Sequence, residues 1–411
     1  MKLQRRRAEG AQAGAWRPWG NVWGSVWAAG LGGLAWLLGP AALAQSVAPA
    51  RAAQPATVSF QKLNLNDTGR TTCLDPSNGS RLPCAGSGQD GEFGRDVSNP
   101  RKRDGRAGFS FVKIAADGTE LPPKATAWSC VKDKVTGLVW EVKTDEGGLR
   151  DQHHTYTDYR DGRPGDASEF VPAVNAAGLC GATDWRLPTA WELQSLVDYG
   201  QTSPNLPIDT AWFPHTVGQP YRTSTGVVGF PPGRWSVQFA SAPLPWVGGE
   251  IDNLWGQSDA LPVRLVRGAR WAQGDRFVPI GAEVTDRMTG LVWRRCAEGQ
   301  TWDGSGCGDP STATRYTWQG ALDQARAAAA GGTGWRLPNV KELFSLVSLD
   351  EVGPAIDRAV FPNTPRALTW TSTFSNYNPL YPWVVNFDIG HVLPGYTTPT
   401  EFPIRLVRDG S

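Results

Sequence analysis

The chain has 411 residues and a formal net charge of +1, with acidic and basic residues mixed along its length. That length exceeds one ordinary hydrophobic core and predicts two or three domains. The balanced charge excludes the basic stripe that nucleic-acid binding needs. The 48 Gly, 32 Pro and 20 Trp residues, with only 19% charged residues, favour short strands, many turns and aromatic anchors over a helical bundle.

Residues 1–44 have the pattern of an export signal. Three arginines, Arg5 to Arg7, precede the apolar stretch "VWAAGLGGLAWLLG", and "ALA" before Gln45 is a small-residue cleavage site. The stretch is short and broken by glycines for a bilayer span, so we favour cleavage over a retained membrane anchor. No later segment is predicted to cross a membrane. We therefore expect an exported protein in the periplasm, on the cell surface or outside the cell.

Residues 45–127 have a different composition from the rest of the chain. They contain "PSNGSRLPCAGSGQDGEFGRD" and "NPRKRDGRAG" and few apolar residues. Such composition predicts a polar, partly disordered leader with one disulfide-closed turn. A strand is expected around "FSFVKI".

The remainder of the chain is an internal repeat. "VKDKVTGLVWEV" pairs with "VTDRMTGLVWRR", "DWRLPTAWELQSLV" with "GWRLPNVKELFSLV", "WSVQFA" with "WVVNFD", and "LPVRLVRG" with "FPIRLVRD", in the same order in both halves. Each unit has the size of an independent domain rather than of a solenoid repeat. We therefore expect two domains, 128–270 and 271–411.

Each unit reads as two helices followed by strands. "ASEFVPAVNAAGLCG" and "YTWQGALDQARAAAAGG" predict a first helix, and a second helix begins at Pro188 or Pro338. The period-two alternation of "WSVQF" and "IRLVR" predicts half-buried antiparallel strands. The fold class is therefore α+β, with two helices on a small twisted antiparallel sheet. Arg186 and Arg336 of the "WRLP" motifs are expected to bond within their own domains.

Six cysteines follow the cleavage site, and an even number in an exported chain predicts disulfides. Six cysteines allow 15 connectivities, which the sequence alone does not decide. Short loops favour one of them. A zinc site is disfavoured, because the chain has no CxxC pair and only four His. The favoured pairs are Cys73–Cys84, Cys130–Cys180 and Cys296–Cys307.

The ordered motifs Thr-Gly-Leu-Val-Trp, Trp-Arg-Leu-Pro and Arg-Leu-Val-Arg, each present twice, resemble the Lcl C-terminal domain family. That family is named for the end domain of a bacterial collagen-like adhesin. The resemblance implies a C-type-lectin-like fold, shared with the formylglycine-generating enzymes. Fold alone does not give function.

No catalytic or metal centre stands out. Neither Glu-Pro-Asn nor Gln-Pro-Asp is present, so the calcium-dependent sugar site of C-type lectins is not expected. Hard oxygen ligands in "EIDNLWG" and "NFDIGH" suit calcium, but solvated turns use the same residues. His153 and His154 lie in a polar loop without a counterpart in the second unit. We predict no cofactor and no metal, and binding rather than catalysis.

Aromatic and amide residues in the irregular stretches are the candidate ligand contacts. Aromatic rings suit the apolar faces of sugars, and amides and carboxylates suit their hydroxyls. Asp388 aligns with Ala240 and His391 has no counterpart, so a fold requirement explains neither of them. The predicted ligand-binding residues are Tyr377, Tyr381, Asp388, His391, Trp246, Asp252, Asn253 and Trp255.

The leading hypothesis is an exported binding or adhesion protein that recognises a glycan, polysaccharide or surface protein through loops on a rigid scaffold. The alternatives are an enzyme of the formylglycine-generating type and a structural module of the cell envelope. No nucleic-acid partner is expected. A catalytic cysteine pair would require free thiols, so the state of the cysteines separates the first two hypotheses.

Overall fold

A computed structural model describes most of the chain beyond the predicted signal, which lies outside the described residues. Within the part that the structure describes, no helix has both the length and the hydropathy of a membrane span. The described residues are 64–98, 100, 103–202, 204–241, 248–270, 276–375, 381–395 and 400–410.

The leader contains regular structure. Its Asp67, Asp90 and Asp96 are buried, although an exposed polar segment was expected there. These side chains are covered because residues of both repeats pack over the leader. Its elements are β1 (Cys73–Leu74), β2 (Arg81–Leu82), α1 (Arg95–Ser98), β3 (Phe111–Ile114) and β4 (Glu120–Leu121).

The first repeat has the predicted order of strands, two helices and further strands. Its elements are β5 (Cys130–Asp133), β6 (Val139–Glu141), α2 (Ala167–Ala176), α3 (Ala190–Gln194), β7 (Pro220–Val227), β8 (Phe230–Gln238), β9 (Ile251–Gly256) and β10 (Val266–Arg267). An antiparallel sheet in the order β10-β6-β5-β3-β4 joins leader strands to this repeat. The sheet of the first repeat thus includes residues that precede position 128.

The second repeat follows the same plan. Its elements are β11 (Phe277–Ile280), β12 (Glu283–Asp286), β13 (Leu291–Arg294), α4 (Trp318–Ala328), α5 (Val340–Ser345), β14 (Leu368–Phe374), β15 (Pro382–Asn386), β16 (Val392–Pro394) and β17 (Val407–Asp409). Its small sheet has the order β11-β12-β13-β17. The α+β class predicted from the alternating patterns is confirmed.

The two repeats share one six-stranded sheet, in the order β14-β15-β16-β9-β8-β7. β16 pairs with β9 antiparallel, with Val392 opposite Ile251. One cluster of buried apolar side chains includes residues of both repeats, and the rings of Trp191 and Phe344 lie 6.3 Å apart between α3 and α5. The sheet and the core therefore both cross the repeat boundary.

The "WRLP" motif builds the start of α3 and of α5. The Arg336 guanidinium donates two hydrogen bonds of 2.7 Å to Glu342, and Arg186 forms the same pair with Glu192. Thr189 and Asn339 close capping boxes with these glutamates. Each proline thus lies one residue before the N-cap, not in the first helical turn, because a capping side chain satisfies the free N–H groups. The prediction that both arginines bond within their own domains is confirmed.

The structure contains three disulfides, and their pairing is the one favoured from the sequence. They join Cys73 to Cys84, Cys130 to Cys180 and Cys296 to Cys307. No cysteine of the described residues is free. Disulfides of this kind are typical of proteins that mature in an oxidising compartment.

Candidate functional site

The pairing of β16 with β9 brings predicted site residues from the two repeats together. His391 immediately precedes β16, and Asn253 lies within β9. The His391 Nε2 atom is 3.0 Å from Asn253 Oδ1. Because Oδ1 only accepts hydrogen bonds, Nε2 carries the proton in this contact.

Apolar packing keeps the His391 imidazole neutral. The edge of its ring meets the buried Trp235 ring, with centroids 5.3 Å apart and planes at 86°. Burial lowers the pKa of His391 to about 4. Gly390 has φ +87°, and a Cβ there would lie 2.8 Å from Leu349, so the turn that presents His391 requires glycine. At neutral pH the ring therefore offers one donor and one acceptor and no charge.

Asp252 lies beside this contact and is only 6% exposed. Its Oδ1 accepts hydrogen bonds from Ser236 Oγ at 2.9 Å and from the Leu254 N–H at 3.3 Å. Its Oδ2 has no donor among the described residues. Burial raises the pKa of this carboxyl, although its hydrogen bonds oppose the shift. Asp252 thus joins β8 to β9 through one oxygen, while its other oxygen is buried without a hydrogen bond among the described residues.

Exposed residues adjoin His391 and Asn253 in the chain. Leu254 is 59% and Ile389 is 40% exposed, and Trp255 is half-buried. The Asp388 carboxylate pairs with the Arg366 guanidinium at 2.6 Å. We name this region the junction face and define it by Asn253, Leu254, Trp255, Asp388, Ile389 and His391.

The remaining predicted contacts are placed elsewhere. Tyr381 precedes β15, whereas His391 follows the turn at the other end of that strand, and the Tyr381 carbonyl accepts a hydrogen bond from the Ser375 N–H. Trp246 and Tyr377 lie outside the described residues. The structure therefore brings Asn253 and His391 into contact, with Asp252 and Trp255 in the same strand as Asn253, Asp388 in the turn before His391, and Tyr381 at the other end of β15.

Sequence reasoning missed that residues of different repeats share one face. Asn253 and His391 are 138 positions apart, and no motif links them. It also missed the exposed Leu254 and Ile389, because the sequence pattern does not say which side of a bent strand faces solvent. The one available indication was the lack of a counterpart for His391.

A loop of the first repeat holds the one group of three metal-ligating side chains found among the described residues. Single ligand atoms of Asp145, Asp151 and His153 lie within 4.8 Å of one another. Asp151 already accepts hydrogen bonds from the N–H groups of Gly147 and His153, which lowers the pKa of its carboxyl to about 2. Asp145 and His153 are largely exposed. Internal hydrogen bonds thus account for the shape of this loop.

An open cavity of about 540 Å³ adjoins that loop and is lined by His153, His154, Tyr156, Glu169 and Phe170, among others. The rings of Tyr156 and Phe170 stack with centroids 4.4 Å apart and form its floor. The second repeat closes the corresponding loop with the Cys296–Cys307 disulfide. That disulfide loop lines a separate cavity of about 400 Å³, so the two repeats differ in what their loops enclose.

Comparison with known proteins identifies the two repeats. The model of the Lcl C-terminal domain matches residues 129–267 and again residues 282–408, which together make up more than half of the chain. Neither the curated proteins nor the solved structures gave a match. The chain belongs to the Lcl C-terminal domain family, of which it carries two tandem copies.

Proposed function

We propose that this chain is an exported binding protein that recognises a glycan at the junction face. The observation that carries the proposal is the 3.0 Å contact between His391 and Asn253, which joins the two repeats at residues that the shared fold does not require. A site made by both copies is specific to the tandem arrangement.

The chemistry of the junction face suits a sugar. A neutral imidazole and an amide offer uncharged donors and acceptors for hydroxyl groups, and the half-buried Trp255 ring offers an apolar face. The Asp388–Arg366 pair adds a polar rim. The C-type-lectin-like scaffold that the family resemblance implies is part of this proposal, and the two helices and antiparallel strands of each repeat support it.

The cysteines weigh against the enzymatic alternative. All six are joined in disulfides, so no thiol pair is available for chemistry of the formylglycine-generating kind. Disulfides also support export. Binding is therefore preferred to catalysis.

The test is a glycan-array screen of the full chain, followed by affinity measurements on variants. Asn253→Ala and Trp255→Ala should each weaken binding by about thirtyfold or more, as the loss of an anchor usually does. Trp302→Ala is the matched control, because Trp302 is another half-buried tryptophan but lies in the disulfide loop of the second repeat. All three variants should keep the wild-type melting temperature to within a few degrees.

Two outcomes would contradict the proposal. One is the absence of glycan binding at millimolar ligand. The other is binding that survives both junction-face substitutions. If Leu254→Asp and Ile389→Asp abolish attachment to a protein ligand while no glycan binds, the ligand class is protein.

A further inference from the structure

The leader contains two neighbouring buried carboxylates, and no basic side chain of the described residues forms an ion pair with either of them. Asp67 is 5% and Asp96 is 2% exposed. Asp67 accepts hydrogen bonds of 2.8 Å from the N–H groups of Thr68 and Asp96. Neither oxygen of the Asp96 carboxylate has a donor among the described residues. The hydrogen bond from the Asp96 N–H to Asp67 Oδ2 makes the two residues direct neighbours.

Backbone surrounds this pair closely. A Cβ at Gly94 would lie 2.4 Å from Asp67 Oδ2, and a Cβ at Gly108 would lie 2.8 Å from the Asp96 nitrogen. Both glycines have positive φ, so the chain conformation itself favours glycine there. The pair is thus enclosed by main chain and out of reach of bulk water.

Three basic side chains near the pair, among the residues that the structure describes, are engaged elsewhere. Lys341 Nζ donates to the main-chain carbonyls of Asp67 and Ser195, at 2.8 and 3.0 Å. The Arg70 guanidinium lies 3.3 Å above the Phe374 ring, and Arg106 pairs with Asp198.

A third carboxylate lies close by. Asp90 accepts hydrogen bonds from the hydroxyls of Thr68 and Thr373, at 2.8 and 2.6 Å. Two adjacent buried carboxylates stay ionised together only if a positive charge compensates them, because an unpaired buried charge is costly.

We propose that Asp67 and Asp96 bind one calcium ion inside the leader. The observation that points to a ligand is the Asp96 carboxylate, which is 2% exposed and accepts no hydrogen bond of ordinary geometry from the part of the chain that the structure describes. The available donors are hard oxygens, which calcium prefers, and an enclosed site disfavours magnesium, which dehydrates reluctantly. This site is distinct from the exposed loop of Asp145, Asp151 and His153.

The ion would fasten the leader between the repeats. Lys341 of the second repeat donates to the Asp67 carbonyl, and the Tyr199 N–H of the first repeat donates to the Thr68 carbonyl at 2.8 Å. Asp90 reaches Thr373 of the second repeat. Asp67, Thr68 and Asp90 all belong to the leader. An ion that fixes Asp67 and Asp96 in place would therefore also fix the leader's hydrogen bonds to both repeats.

The test uses the full chain, stripped with a chelator and titrated with Ca²⁺ or Mg²⁺ alone in a calorimeter and in thermal unfolding. We expect one Ca²⁺ per chain and a rise in melting temperature of several degrees, since an ion that binds only the folded state stabilises it. Mg²⁺ at the same concentration should have a smaller effect. Asp96→Asn should weaken Ca²⁺ binding at least tenfold, and Asp145→Asn, the matched control in the other acidic loop, should bind as wild type.

Three outcomes would overturn the site. The first is no Ca²⁺ binding by the wild type. The second is loss of binding in Asp145→Asn with binding kept in Asp96→Asn, which moves the ion to the loop. The third is an Asp96→Asn variant that binds Ca²⁺ as tightly as wild type and is more stable. That result would mean that the Asp67 and Asp96 carboxyls share a proton instead of an ion. If Asp96→Asn does not fold, limited proteolysis of the wild type decides, because Ca²⁺ should protect the leader and chelation should expose it.

Discussion

At the scale of single residues, the repeated arginine of the "WRLP" motif is the clearest case of a side chain whose role follows from its neighbours in sequence. The glutamate lies six positions after the arginine in each repeat, and a capping box holds it in place. The charge pair and the helix start therefore depend on each other. Both are local, and this explains why the sequence was sufficient to predict a structural role.

We expect Arg336→Ala to lower the free energy of unfolding by about 3–5 kcal/mol, because it leaves the nearly buried Glu342 without its partner. Urea denaturation should report the change. Arg358→Ala is the control, since the Arg358–Glu351 pair is exposed and such pairs contribute about 0–1 kcal/mol. A variant with wild-type stability and lost ligand binding would instead make this arginine a ligand contact.

His391 should make stability depend on pH. Its folded pKa of about 4 is below the ordinary value of 6.5, so the neutral ring stabilises the fold fully above pH 6.5. This contribution is lost as the pH falls towards 4, and its size is on the order of 1–3 kcal/mol. His391→Gln should therefore show a smaller loss of stability than wild type between pH 7 and pH 4. Equal pH profiles of the two proteins would refute the burial argument.

At the scale of elements, the turns and caps were predictable, whereas the strands of the leader were only partly so. Asp133 accepts hydrogen bonds from Thr136 in the "VTGLVW" turn, and Asp286 does the same with Thr289, so the signal is contained in four residues. By contrast, Asn66 reaches Asp133 across 67 positions. Polar leader residues are buried because of such distant partners, and composition does not reveal them.

The disulfides differ in the length of chain that they close, and this predicts a ranking. Cys130–Cys180 spans 50 positions and Cys296–Cys307 spans 11. Loop-closure entropy gives roughly 4 kcal/mol for the longer loop and roughly 3 kcal/mol for the shorter one. Paired Cys→Ser variants should therefore lose stability in that order in denaturant titrations. The reverse order would mean that native contacts outweigh the entropy of the unfolded chain.

At the scale of the whole molecule, the sequence predicted two repeats but not the sheet and core that they share. The repeats were visible because their motifs recur in order. The pairing of β16 with β9 was not, because either strand reads as an ordinary edge and the choice of partner is set by the completed fold. The same reason hid the junction face, whose residues come from both copies.

The shared sheet and core predict that the two repeats unfold together. Tryptophan fluorescence and far-ultraviolet circular dichroism should give one coincident urea transition for the wild type. Val392→Asp introduces a charge at the buried strand junction and should separate the transition into two, whereas Val352→Asp, at a 56% exposed position, should not. Two transitions in the wild type would show that the boundary is weak.

In the strand order β14-β15-β16-β9-β8-β7, the last three strands are the counterparts of the first three in reverse order. The two copies therefore meet in the same way as the subunits of an isologous dimer. In such a dimer, any third segment would find two equal places to bind. Here the copies differ at the matching position of the contact helices, where α3 has Trp191 and α5 has Lys341. Of these two side chains, it is Lys341 that donates to the leader, at the Asp67 carbonyl. Because the two copies belong to one chain, their sequences can differ at this position. The single leader therefore has one binding place rather than two equal ones.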